Sequence, residues 1–246
     1  MKITVNFPFS ATIIHMFLLF AAIAPAAALI IYFYCKDKHE KEPLDLLAKA
    51  FLAGIIITFV AMVIEPFFLG VIKNIPFVLF RVFLASFVMA ALVEEGLKFL
   101  AFKLVIYDRK DFNEPYDGIL YAVMISLGFA TIENIGYIVS EFTRTGFIGA
   151  YGLSVGRALF SVTIHAFTAA IMGYYLGLAK FCGGKREAEY QWKGLGFAVL
   201  AHGSFNFFIL TLTPVGILLA FVVFLVAWFQ TLRAIKLHSA NSPFRK

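Results

Sequence analysis

Charge is what this sequence has least of. Only 15% of its 246 residues are Asp, Glu, Lys or Arg, against roughly 25% in soluble domains. That is too little polar surface for a water-soluble fold of this length. Cysteine is scarce too: the chain has only Cys35 and Cys182. Two thiols make neither a disulfide framework nor a cysteine-rich metal centre. Neither HExxH nor another short zinc signature occurs. No repeat or low-complexity tract stands out, and the ten-residue alternation of a membrane β-barrel is missing. No polar stretch is long enough to fold alone, so residues 1–246 read as a single transmembrane domain.

What the sequence has is apolar length. Hydrophobic residues make up 61% of it, and the mean hydropathy is +0.88. They gather into seven runs, each about the twenty residues that cross a bilayer as a helix: Ala11–Tyr34, Leu46–Ile72, Phe77–Phe102, Ile119–Ser140, Leu153–Phe181, Leu195–Leu212 and Val215–Leu232. Inside lipid each run must satisfy its own backbone hydrogen bonds. The fold class is therefore all-α, a polytopic helical bundle of about seven spans. The first run is too long for a secretory signal, and its positive residues follow it rather than precede it, so it is expected to stay as a span.

The basic residues set the orientation. Fifteen Lys and Arg lie in the connections after the first, third, fifth and seventh runs, against five on the other side: Lys2, Lys73, Arg81, Arg144 and Arg157. Lys98 is left over, well inside a helix. By the positive-inside rule the amino terminus is outside and the carboxyl terminus cytosolic. The net charge of +6 is then the cytosolic rim of a membrane protein. The expected partner is lipid, with no nucleic acid.

Ionisable side chains within a span cost roughly 2.5–3.5 kcal/mol each on insertion scales and mark function by default. Glu94, Glu95 and Lys98 occur together as EEGLK. Glu94 and Lys98, four apart, share a helix face, so the ammonium neutralises one carboxylate and leaves the other as a candidate general base. Glu133 and Asn134 lie deep in the fourth run, within GFATIENIGY. His165 is midway along the fifth, within RALFSVTIHAF. His202 and Asn206 lie one turn apart in the sixth, where an imidazole and a carboxamide can donate to a developing oxyanion. Glu65, beside Pro66, reads as interfacial, and His15 and His39 as incidental. A carboxylate for water and donors for an oxyanion are the parts of peptide hydrolysis. Glu133, His165 and His202 are also candidate ligands for a divalent metal. The cofactor stays open between zinc and none, and the missing short motif favours a glutamate mechanism.

Several stretches carry a resemblance: KDKHEKEPL, EEGLKFL, EPYDGILYAVMISLGFATIENIGYI, RALFSVTIHAFTAAIMGYYLG and LAHGSFNFFIL. In these, over nearly its whole length, the sequence resembles the PrsW family of bacterial intramembrane proteases. It is more distantly similar to the CAAX prenyl endopeptidases, whose EExxxR, FxxxH and HxxxN patterns appear altered at Glu94–Glu95, Phe129–Glu133 and His202–Asn206. Glu133 stands where those relatives carry histidine, and Lys98 replaces their arginine one position earlier. The resemblance implies a single-span anti-sigma factor as substrate, cut on its outer side to release an extracytoplasmic-function sigma factor in a stress response. It places the protein in a bacterial cell membrane.

The reading is an intramembrane endopeptidase. Glu94 or Glu95 activates water, Lys98 tunes the pair, and His202 and Asn206 hold the oxyanion. Glu133 and His165 position water or substrate, or share a metal. The rivals are a proton- or ion-coupled transporter, a b-type cytochrome with His165 and His202 as axial ligands, and a CAAX-type protease working from the cytosol.

Overall fold

The computed structural model describes residues 11–245; Lys2 and Lys246 of the charge count lie outside them. The described residues form seven long helices: α1 Ala11–Lys36, α2 Leu44–Ile72, α3 over 78–105, α4 Pro115–Thr145, α5 Phe147–Cys182, α6 Arg186–Leu210 and α7 Pro214–Ala240. Six are long and apolar enough to cross a membrane. The remaining one, α3, has the length but carries Glu94, Glu95 and Lys98 inside it. The chain is thus a multi-pass, all-α membrane bundle.

Local chemistry sets the helix ends. Pro115 opens α4 behind a reciprocal capping box of Glu114 and Asp117. Pro214 opens α7 after Thr213, whose hydroxyl accepts from the Gly216 amide at 3.0 Å. Gly146 (φ 79°) and Gly183 (φ 66°) close α4 and α5 in backbone conformations that glycine adopts freely.

Helix α4 is the axis of the bundle, buried from Tyr116 to Thr131. It packs on α1, α2 and α5. Gly54 and Gly128 let the α2 and α4 backbones touch, and Gly118 and Gly173 do the same for α4 and α5, the small-residue packing that membrane bundles use. Outward faces stay apolar, as at Phe59, Val63, Leu104 and Phe229.

The basic connections all gather on one face. His39 Nε2 meets the Ser239 carbonyl at 3.1 Å, the Tyr107 hydroxyl donates to Glu187 at 2.8 Å, and Lys180 donates to the Tyr107 carbonyl at 2.5 Å. On this face burial pushes the Asp37 carboxyl up to about 6 and the Glu42 carboxyl up to about 7, the latter against a hydrogen bond from the Tyr121 hydroxyl.

Two helices depart from α geometry. In α3, Leu84–Leu92 is wound as π-helix and runs straight into Val93, Glu94 and Glu95. In α5, Arg157–Ser161 is a π-turn one turn ahead of His165. Wide turns of this kind cluster at functional sites.

Candidate active site

Four helices deliver one polar network to the middle of the bundle. Glu95, from α3, is fully buried and accepts from three sides: Lys98 Nζ at 2.7 Å, His202 Nδ1 of α6 at 2.9 Å and the Thr168 hydroxyl of α5 at 3.5 Å. Lys98, equally buried, also reaches Glu94 at 3.4 Å and His165 Nδ1 at 3.0 Å, and lies 4.6 Å from the centre of the Phe129 ring. On its other edge, His165 Nε2 meets Glu133 of α4 at 3.0 Å. Arg157 holds the same carboxylate at 3.0 Å and donates through Nε to Asn134 Oδ1 at 2.8 Å. The Asn134 amide in turn donates to the Ala22 carbonyl of α1 at 2.8 Å.

These partners fix the imidazole tautomers. A carboxylate only accepts and an ammonium only donates. His202 therefore carries its proton on Nδ1, toward Glu95, and its Nε2 is left over. His165 carries its proton on Nε2, toward Glu133, and offers the Nδ1 lone pair to Lys98. The Ser126 hydroxyl, 2.9 Å from the His165 carbonyl, ties that turn of α5 to α4.

A cavity of about 720 Å³ opens beside this network. Glu94, Glu133, His165, His202 and Asn206 line it, together with Glu65, Tyr137 and Arg157 and an apolar wall that includes Met89, Leu153, Phe205 and Phe221. Many of these liners lie near the helix ends opposite the basic face. Leu210 is the last residue of α6, Ile217 is in the first turn of α7, and Gly152 and Leu153 are in the first turns of α5.

Six of the seven residues singled out in the sequence meet here in one network, and the seventh, Asn206, sits on the cavity wall without a hydrogen-bond partner among the described residues. One pairing differs from expectation. Lys98 is closer to Glu95, three residues before it, than to Glu94, four before. Glu95 is turned into the α5 and α6 contacts and needs the nearer cation, which leaves Glu94 as the member of the pair on the cavity. Two residues, Arg157 and Glu65, went unrecognised as parts of the site, and a third, Asn134, was noted beside Glu133 without a role. Arg157 looks like an outer-loop charge because it stands eight residues before His165, but the π-turn folds it back onto Glu133. Asn134 serves as an anchor between helices. Glu65 reads as interfacial beside Pro66, yet lies on the cavity wall.

Glu94, Glu95, His165 and His202 form a buried group whose candidate ligand atoms all lie within 4.8 Å of one another. Two observations fit them to a divalent cation. The donors are carboxylate and imidazole, the set that zinc takes. Glu95 Oε2 is buried with no partner among the described residues.

An apolar bundle that spans a membrane and carries carboxylates, imidazoles and a cavity inside its spans defines a membrane-embedded hydrolase. The comparisons with known proteins name the kind. Residues 42–231 match the model of the PrsW family intramembrane metalloproteases. The proteases PrsW of Geobacillus kaustophilus, Bacillus subtilis and Oceanobacillus iheyensis are 35%, 36% and 37% identical to the chain, over 89%, 90% and 88% of it and 91%, 95% and 95% of their own lengths. No solved structure matches. The chain belongs to the PrsW family, and it is a membrane peptidase that hydrolyses peptide bonds within the bilayer.

Proposed function

We propose that this peptidase cuts a single-span anti-sigma factor on its outer side, with Glu94 as general base. The observation that carries the assignment is the division of labour between the paired glutamates. Glu95 is consumed by Lys98, His202 and Thr168. Glu94 lines the cavity and has only long contacts among the described residues, to Lys98 Nζ at 3.4 Å and to His165 Nδ1 at 3.8 Å.

Glu94 takes a proton from water, whose oxygen adds to the scissile carbonyl carbon. The oxyanion so formed accepts from the Asn206 carboxamide, which has no other partner. Glu94 then returns the proton to the amide nitrogen, the C–N bond breaks, and a carboxylic acid and an amine leave, the acid passing its proton to the amine in water. Glu133, held by Arg157, fixes His165, and Glu95 fixes His202, so the imidazoles keep their tautomers through the cycle.

Glu95, His165 and His202 would hold a metal ion, with Glu94 beside it. Three protein ligands with one position left for water is the composition of catalytic zinc sites. Such an ion supplies Lewis acidity and lowers the pKa of bound water to about 7. The lack of a short zinc motif carries little weight here, because the ligands come from three helices, α3, α5 and α6.

The test is proteolysis in liposomes that hold the purified protein and a single-span anti-sigma factor, with and without chelator. Cleavage at the outer end of the substrate's span, lost with chelator and restored by zinc, is expected. Intact substrate under all conditions removes the substrate assignment, and chelator-resistant cleavage removes the metal.

A further inference from the structure

Three carboxylates line the cavity, and two of them have partners: Glu94 through its long contacts to Lys98 and His165, and Glu133 through Arg157 and His165. The third is Glu65, on α2. It has no hydrogen-bond or ion-pair partner among the described residues. It lies seven residues before the end of α2, so about 10 Å in from that end at 1.5 Å per residue.

An ionisable side chain without a partner at that depth is costly unless something meets it. Its position suggests what does. A spanning helix cannot be cut as a helix, because its carbonyls are bonded and shielded. It must unwind locally, and each backbone N–H so freed in an apolar cavity costs several kcal/mol until an acceptor is found. Of the carboxylates on the walls only Glu65 is without a polar contact among the described residues, and much of the remaining lining is apolar, Met89, Leu153, Phe205 and Phe221 among it.

We propose that Glu65 is a substrate-binding residue whose carboxylate accepts a backbone N–H of the unwound substrate segment beside the scissile bond. The inference rests on the proteolytic reading of the cavity. It makes the substrate class an extended peptide strand drawn from a membrane helix, recognised through its backbone. Glu65 is then responsible for seating the strand, and Glu94 for the water.

The experiment uses the full-length protein in phosphatidylethanolamine–phosphatidylglycerol liposomes and a library of synthetic single-span peptides. A member that is cleaved is resynthesised with N-methyl groups placed one at a time within four residues of the mapped bond. With the wild-type protein, N-methylation at one position distinct from the scissile amide should lower kcat/KM on the order of 10-fold, the worth of one hydrogen bond. Glu65→Leu should lower kcat/KM on the unmodified peptide by a similar factor and should be insensitive to N-methylation at that same position. Glu65→Gln, which keeps an acceptor oxygen, should fall between the two, and it supplies the same comparison if the leucine variant fails to fold. A loss that stays unchanged on the N-methylated peptide, or full activity in both variants, overturns the role of Glu65 and leaves the proteolytic reading intact. A wild-type protein that cleaves no member overturns both.

Discussion

Glu94 and Glu95 are neighbours in sequence, yet their surroundings give them different work. Glu95 has no exposed surface and is the shared acceptor for Lys98 and His202. Removing its charge leaves a buried ammonium without its closest anion, a loss that costs about 3–5 kcal/mol when one partner of a buried pair is taken away. Glu94 keeps only the 3.4 Å contact to Lys98 and a 3.8 Å contact to His165. Glu94→Gln should therefore lose 10²–10⁴-fold in cleavage rate and unfold in detergent near the wild-type temperature, whereas Glu95→Gln should lose activity and stability together. Cleavage assays beside thermal unfolding of the two variants decide the point. A stable, inactive Glu95→Gln beside an unstable Glu94→Gln would exchange the roles. The sequence showed that an ammonium and two carboxylates share one stretch of a span, because i,i+3 and i,i+4 spacings are visible in it. Which carboxylate the ammonium prefers depends on α5 and α6, whose approach no local spacing records.

At the scale of elements, the site is made by departures from the regular helix. The nine-residue π-segment of α3 delivers Glu94 and Glu95, and the π-turn of α5 brings Arg157 back onto Glu133. Thr163 marks the second of these by donating to the Ala158 carbonyl, five residues back, at 3.0 Å. The seven runs themselves were legible, since apolar length and Pro or Gly punctuation set their limits. The π-segments were not: Leu84–Leu92 is as apolar and as helix-compatible as its flanks, and its winding answers to packing against α2 and α6. Gly203 shows that dependence. It lies next to His202, and a Cβ there would run into the Phe87 ring on the π-segment. Gly203→Val should hold α6 away from α3 and stretch the contact between His202 and Glu95 while removing no ionisable group. Overpacking of this kind typically costs 1–3 kcal/mol, so a lowered unfolding temperature together with a sharp fall in cleavage is expected. Wild-type activity in that variant would show that the approach of α6 to α3 is not what positions His202.

The whole molecule has two unlike ends. One gathers the basic connections, where His39 meets Ser239 and Lys180 meets Tyr107. The other holds the mouth of the cavity, at Leu210, Ile217, Gly152 and Leu153. On the orientation we propose from the positive-inside rule, the basic end is cytosolic and the cavity opens toward the outer leaflet. Depth agrees with this. His202 is eight residues from the outer end of α6 and sixteen from its other end, about 12 Å against about 24 Å at 1.5 Å per residue. A bond just outside the membrane is within reach of such a site, as an anti-sigma factor cut on its outer side requires. A CAAX-type enzyme working from the cytosol requires the reverse. The protein carries its own reporters, because Cys35 and Cys182 are both exposed at the basic end. In right-side-out vesicles a membrane-impermeant thiol reagent should leave these two unlabelled until the membrane is permeabilised. In a variant lacking both, Leu153→Cys on the cavity wall should react from outside without permeabilisation. Labelling of the native cysteines from outside, with Leu153→Cys reached only from within, would turn the molecule over. The cavity would then open to the cytosol, and the outer-side cleavage proposed for this peptidase would have no geometry to support it.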